Sequence, residues 1–472
     1  MNRYILLLAL LSLLLCGCGA QTPDAPAADI QTRLDYSGRT DIDIIALSQQ
    51  ENLSFLDLRH TNVTLREYEL LHHSLPGCEI LWEIPFQGNY YTPDTTSVAF
   101  ETLCSQDWEY LSWFTELSHM DATACQEYEL IGALLEKYPH CTIDYAIDLQ
   151  GQVIGPDTTG LTLNNPMGLP LEAILSCLPK LETLTLTGML PEGKLLQQLM
   201  RDYPQVTFSW EYTLCGQALP NTTEQIDLSG TPMDTTLQLE KALPYFPELK
   251  KVVLVDCGFS DQTMSLLNRT YPDILFVWAV EFRGVHIRTD IEAFIPLKHN
   301  IHLDDNDVER LSYFTELICL DLGYMPITDC SFLYSMPRLQ YLLLPCTNVQ
   351  DITPLGSLKE LRYLELFLTP VTDFSPLSGC ENLADLNISG TKPQTLTVLT
   401  QVPQLKHLWI NGITPGEEDI RLLEQAHPSL VICCLPEGNA IGNGWQLLPG
   451  YFAQRDLLGM PYDEPITNKP NV

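Results

Sequence analysis

The sequence predicts an α/β fold built from stacked repeats, each adding one strand to a parallel sheet. Three observations carry that expectation. Residues 317–413 restate one pattern every 22 positions. Residues 41–300 restate a longer one, marked by Pro76, Pro139, Pro204 and Pro272 at intervals of 63, 65 and 68 residues. No single copy of either pattern has enough apolar surface to fold alone, so copies must stack and share a core.

Composition permits this. The chain has 472 residues, 45% hydrophobic and 18% charged, which suits a large buried core and not a disordered chain. Its net charge of −35 repels phosphate and anionic lipid and argues against a nucleic-acid partner. The acidity either keeps the protein soluble or steers a basic partner.

In chain order, residues 1–17 read as a leader: Arg3, an apolar run from Ile5 to Leu15, then small residues. The stretch Leu15-Cys16-Gly17-Cys18 resembles a bacterial lipobox. That resemblance implies lipid on Cys18, and so an extracytoplasmic protein anchored to the membrane without a spanning helix. An ordinary signal peptide ending near two cysteines is the alternative. Residues 18–40, with Pro23 and Pro26 among polar residues, read as a tether. No later stretch is long and apolar enough to span a bilayer.

The long-period units occupy residues 41–300. Leu71, Leu134, Leu199 and Leu267 stand five before the four prolines, on helices that the prolines end. After each proline, apolar residues alternate with period two through Trp82, Tyr145, Trp210 and Trp278. Gly88, Gly151, Gly216 and Gly284 close the alternation, so each unit carries a strand entering a turn. LxxLxL strands recur as Leu53-Leu56-Leu58, Leu181-Leu184-Leu186 and Leu249-Val252-Leu254.

Residues 301–434 hold the strict repeat. Leu317, Leu339, Leu361, Leu383 and Leu405 begin five copies of LxxLxL. Met325, Thr347, Thr369, Thr391 and Ile413 stand three past the last apolar position of each copy. The pattern resembles the 22-residue leucine-rich repeats of bacterial internalin-type surface proteins. By that resemblance the fold is a leucine-rich repeat solenoid with a parallel β-sheet on its concave face, carrying irregular strand-turn insertions in the N-terminal half. About thirteen strands would then make one curved sheet roughly 60 Å long. Residues 435–472 lose the period, and Trp445, Tyr451, Phe452, Leu457 and Leu458 read as a C-terminal cap folded over the last repeat.

No GxSxG, phosphate loop or HExxH occurs, so no enzyme chemistry, cofactor or metal is expected. The run Asp304 to Asp307 lacks the Gly and Glu of a calcium loop and reads as a solvated junction. His72-His73 reads as a surface pair. Thirteen cysteines follow Cys18 without a CxxC; most read as reduced, buried side chains, with disulfides between coils as the alternative.

In the strict repeat the side chains between the leucines share one sheet face, where such repeats usually bind ligands. Tyr341, Leu343, Tyr363 and Phe367 form an expected exposed apolar patch, with His407 and Trp409 farther along and Glu365 and Asp385 among them. These eight are the expected contacts for a protein or peptide partner. A glycan-binding or structural envelope role is the alternative function. The same columns would also serve plain cross-strand packing, or lie under a loop or the cap.

Overall fold

This computed structural model describes residues 32–435 and 444–460. The expected leader, Cys16, the expected lipidation site Cys18 and most of the expected tether lie outside the described residues. The described chain divides into two compact units between Leu184 and Thr185. That boundary is not the change of period near residue 300.

In the first unit, strand Thr32–Asp35 pairs in parallel with Leu53–Asp57, which pairs with Glu79–Leu81. Repeat structure therefore starts at Thr32, inside the stretch expected to be tether. A second three-stranded parallel sheet joins Ser97–Ala99, His119–Asp121 and Thr142–Asp144. Here Ser97 pairs with His119 and His119 with Thr142, so the long period conceals a short one of 22 and 23 residues. In the second unit Gln225–Asp227, Lys251–Val253 and Leu275–Val277 form another such sheet.

A two-residue hairpin closes each long unit: Ile84–Phe86 with Asn89–Tyr91, Ile147–Leu149 with Gln152–Ile154, Thr207–Leu214 with Gln217–Pro220, and Ala279–Phe282 with Val285–Arg288. The central pairs are Gln87-Gly88, Gln150-Gly151, Cys215-Gly216 and Arg283-Gly284, all with positive φ. Two left-handed residues make a type I′ turn, whose twist matches that of the flanking strands. The hairpins explain why the described strands do not form one long sheet. After each tryptophan or tyrosine column the chain turns back on itself, and the parallel ladder ends there.

The prolines do what the sequence implies. Helices Leu65–Ser74, Tyr128–Lys137, Gly193–Asp202 and Asp261–Thr270 each stop two residues before one. Proline disfavours helical geometry in the residue before it, and here that residue leaves the helix and becomes the cap. Its N–H donates to the buried Leu71, Leu134, Leu199 or Leu267 carbonyl at 2.8–2.9 Å. Trp82, Trp210 and Trp278 donate their indole N–H to Val63 O, Tyr245 O and Asp261 Oδ1, which lets a buried indole sit in apolar surroundings.

The strict repeat forms a seven-stranded parallel sheet: Ala293–Phe294, Cys319–Asp321, Tyr341–Leu343, Tyr363–Glu365, Asp385–Asn387, His407–Trp409 and Val431–Cys433. Register follows the sequence columns, with Leu320, Leu342, Leu364, Leu386 and Leu408 side by side and fully buried. The threonine column has a structural cause. Thr347, Thr369 and Thr391 donate their hydroxyls to Leu344 O, Leu366 O and Ile388 O at 2.7–2.9 Å, satisfying carbonyls the sheet leaves behind. Asp329, Asp351 and Asp373 accept the N–H two residues on at 2.8 Å and so start each 3-10 turn. The parallel strands and their register are those that the repeat columns imply.

Two smaller expectations can be compared with the structure. Asp304 and Asp307 both meet the Arg283 guanidinium, and Asp305 accepts from Thr328, so the acidic run is tied into the repeats. The thirteen cysteines after Cys18 are all free. Cys125, Cys177, Cys257, Cys319, Cys330 and Cys380 are buried, Cys78 and Cys141 are half-buried, and Cys104 and Cys434 are exposed. Among the described residues no helix is long and apolar enough to cross a membrane.

Candidate functional site: the sheet face and the segment across it

Strand pleating sends alternate side chains to opposite faces. On the face away from the leucine core, the seven-stranded sheet presents Ile295 and Cys319 at one side and Trp409 and Cys433 at the other. Across it lie residues 444–460: a 3-10 turn, Trp445–Leu447, then the helix Pro449–Leu457. Trp445, Leu448, Tyr451 and Leu458 pack into one cluster with Ile295, Cys319, Leu343, Tyr363 and Trp409.

This overturns the expected exposure of the patch. Tyr363 has no exposed surface, and Leu343, Trp409, Glu365 and Asp385 are also buried. Tyr341, Phe367 and His407 are half-buried. The physical reason is that the terminal segment covers the aromatic columns, removing apolar surface from water that a bare sheet face would expose. The segment was expected over the last repeat. It lies across the strands instead, while Phe452 and Leu457 stay partly exposed.

Polar contacts fix the segment. The Trp445 indole N–H donates to Glu365 Oε1 at 2.7 Å, and the Tyr363 hydroxyl donates to the same oxygen. The Trp445 ring lies 5.0 Å from Tyr363 and 4.9 Å edge-on to Trp409, between centroids. Lys298 Nζ donates to the Leu458 and Gly459 carbonyls at 2.7 and 2.9 Å, where the helix end concentrates negative partial charge. Gly450 makes the closest approach: a Cβ there would stand 2.5 Å from Asp385 Oδ2 and 2.8 Å from Tyr363 Cδ2. Arg455, almost wholly buried, donates to the Tyr451 hydroxyl at 3.1 Å.

The electrostatics are unusual for a cap. Burial pushes Glu365 up to about 7, against the opposing hydrogen bonds from Tyr363 and Trp445. Burial pushes Asp321 up to about 6, although Gly323 N–H donates to it at 2.9 Å. The charge on Asp321 adds to the shift at Glu365. Asp385 pairs with His407 Nδ1 at 2.6 Å. Asn387 Nδ2 and Gln454 Oε1 are buried and have no hydrogen-bond partner among the described residues.

Sequence columns therefore bring seven of the eight expected residues onto the strands of one sheet face, while Phe367 stands two residues past its strand. They do not show Lys298, Gly450, Gln454 or Arg455, which come from outside the period. The signal available was the cluster of large apolar residues in 445–458, in a stretch with no repeat to pack it.

No protein-family model and no curated protein matches the chain. Among solved structures, an internalin (inlF) from Listeria monocytogenes is similar at 15% identity, covering 86% of this chain and 81% of that one, TM-score 0.26. An internalin C2 from the same organism is 21% identical over 47% of this chain and 87% of its own, TM-score 0.25. A leucine-rich repeat protein from Leptospira interrogans is 14% identical over 86% and 96%, TM-score 0.25. The repeat fold is carried by the strand register and not by these likenesses.

Proposed function

We propose that this is a non-catalytic recognition protein, a leucine-rich repeat solenoid held outside the cytoplasm by lipid on Cys18, whose concave sheet face takes a protein or peptide partner. One observation carries the reading. The face already holds a short helix through an indole-to-carboxylate hydrogen bond, an aromatic cluster and a lysine on the helix end. A surface that seats a helical segment this way has the chemistry of peptide recognition, in which aromatic anchors fill a groove. Tyr341, Phe367 and His407 are the members of the expected set that keep some exposure.

The glycan-binding or structural-envelope alternative relies on open aromatic rings. Tyr363 and Trp409 are covered, so that reading loses its stacking platform.

The test is binding of envelope proteins to full-length protein beside a Tyr341→Ser/His407→Ser variant, with thermal denaturation of both. A partner held by wild type and lost by an equally stable variant is the expected result. Equal retention would move recognition off this face. Mass spectrometry of the N-terminal peptide checks the anchor: a diacylglyceryl group on Cys18 is expected, and cleavage elsewhere without lipid would remove it from the proposal.

A further inference from the structure

The segment satisfies the face incompletely. It covers two carboxylates, Glu365 and Asp385, with the buried Asp321 on a nearby strand, and brings an indole N–H and a buried guanidinium, those of Trp445 and Arg455. It also leaves Asn387 Nδ2 and its own Gln454 Oε1 buried without a hydrogen-bond partner among the described residues. An unmade buried hydrogen bond costs about 1–3 kcal/mol, and buried carboxylates resist ionisation. A permanent cap would do better with apolar side chains at these positions. The fit is close in shape, as the approach at Gly450 shows, yet poor in polar complement. That combination describes an occupant that can be exchanged for a better one.

We infer that residues 444–460 are a competitor seated in cis on a docking face, and that the face's other occupant is a helical segment of a second protein carrying an aromatic hydrogen-bond donor and basic side chains. The inference rests on reading this face as a recognition surface. The aromatic donor takes the Trp445 place against Glu365. Basic groups meet Asp321 and Asp385, which have no ion pair with the helix among the described residues; His407, from the sheet, faces Asp385. A partner must first displace the segment, so the face is inhibited until a ligand of that chemistry arrives.

Gly450 supplies the test. In Gly450→Leu the new side chain runs into Asp385 and Tyr363, while no residue of the repeats is altered. The probe is a labelled peptide of residues 444–460 with the natural sequence, followed by fluorescence anisotropy. Full-length Gly450→Leu should bind it at least 30-fold more tightly than wild type, whose face is filled. Adding Glu365→Leu, or Trp445→Phe in the peptide, should weaken that binding tenfold or more. Hydrogen exchange of 449–458 reports whether the segment has lifted. A second variant, Trp445→Ser/Tyr451→Ser, releases it by loss of contacts instead of by a clash.

If both variants lift the segment and neither binds peptide, the face is no docking site for a helix. If both keep wild-type protection, the segment is a fixed cap. If the variants exchange segments and dimerise in sedimentation, the occupant is a second copy. Each of these overturns the inference. A partner that binds wild type and Gly450→Leu equally, yet is lost in Tyr341→Ser/His407→Ser, would sink the competition while leaving the recognition reading intact.

Discussion

Replacing Glu365 by Gln should flatten the pH dependence of the terminal segment's docking. The carboxyl titrates near 7 beneath the segment, against an ordinary 4.5. The docked state therefore holds the proton more tightly than the open one. The resulting penalty on docking is absent below pH 4.5, grows as pH rises and is complete above pH 7. At 1.36 kcal/mol per pKa unit the full penalty is about 3 kcal/mol, of which roughly 2–3 kcal/mol develops between pH 5 and 8. Asp321, pushed up to about 6 by burial, is unchanged in the comparison of wild type with Glu365→Gln. Cys319, Tyr341, Tyr363, Asp385, His407 and Cys433 from the sheet, Lys298 at the helix end, and Tyr451 and Arg455 from the segment are the other titratable or charged groups described at this contact. Gln keeps an acceptor for Trp445 and Tyr363 but cannot ionise. Hydrogen exchange of the 449–458 amides, corrected for intrinsic rates, reads the opening equilibrium directly. Between pH 5 and 8 wild type should open on the order of 50- to 100-fold more than Glu365→Gln does. Equal pH slopes in the two proteins would show that Glu365 is not a buried ionising group under the segment.

Other consequences can be measured on the full chain. Leu364→Ala, in the fully buried leucine column, should cost about 2–5 kcal/mol in urea denaturation. Thr369→Val deletes the buried hydroxyl that Leu366 O accepts from and should cost about 1–3 kcal/mol by the same assay. Gly390 has a φ of 71°, and a Cβ there would stand 2.6 Å from Leu368 Cδ2. Gly390→Ala should therefore cost about 1–2 kcal/mol, and Leu368→Ala in the same chain should recover the clash but not the backbone strain. Native protein should label with maleimide at Cys104 and Cys434 first. Cys330 and Cys380, pushed up to about 12 by burial, should react only on unfolding.

The repeat was legible because stacking imposes one residue type per column. Leu342, Leu364 and Leu386 must interdigitate with neighbours, and Thr347, Thr369 and Thr391 must each satisfy a carbonyl. The helices were legible because proline disfavours helical geometry in the residue before it. The 22- and 23-residue spacing inside the long units was harder to see. Its strands are only three residues long, and one of them is Thr142–Asp144, where a single buried Ile143 stands in place of the LxxLxL signature. The hairpins hid a second way. Gly151 announced a turn, but its partner is Gln150, and glutamine carries no preference for the φ of 55° it adopts.

The covered face shows what periodicity cannot supply. Alternation along Tyr363-Leu364-Glu365 separates two sides of a strand, and both sides turn out to be buried. Which side meets water depends on what lies above it, and here that is a stretch with no repeat. A carboxylate at Glu365 would ordinarily argue for solvent, since an ionised group rarely leaves water unpaired. Its burial is possible because Tyr363 and Trp445 both donate to it and because its pKa rises toward neutrality. The sheet supplies one donor and the segment the other. Lifting the segment removes the Trp445 donor and restores water to Glu365, so docking and protonation are two readings of one equilibrium. A ligand that brings its own donor and a positive charge gains from both.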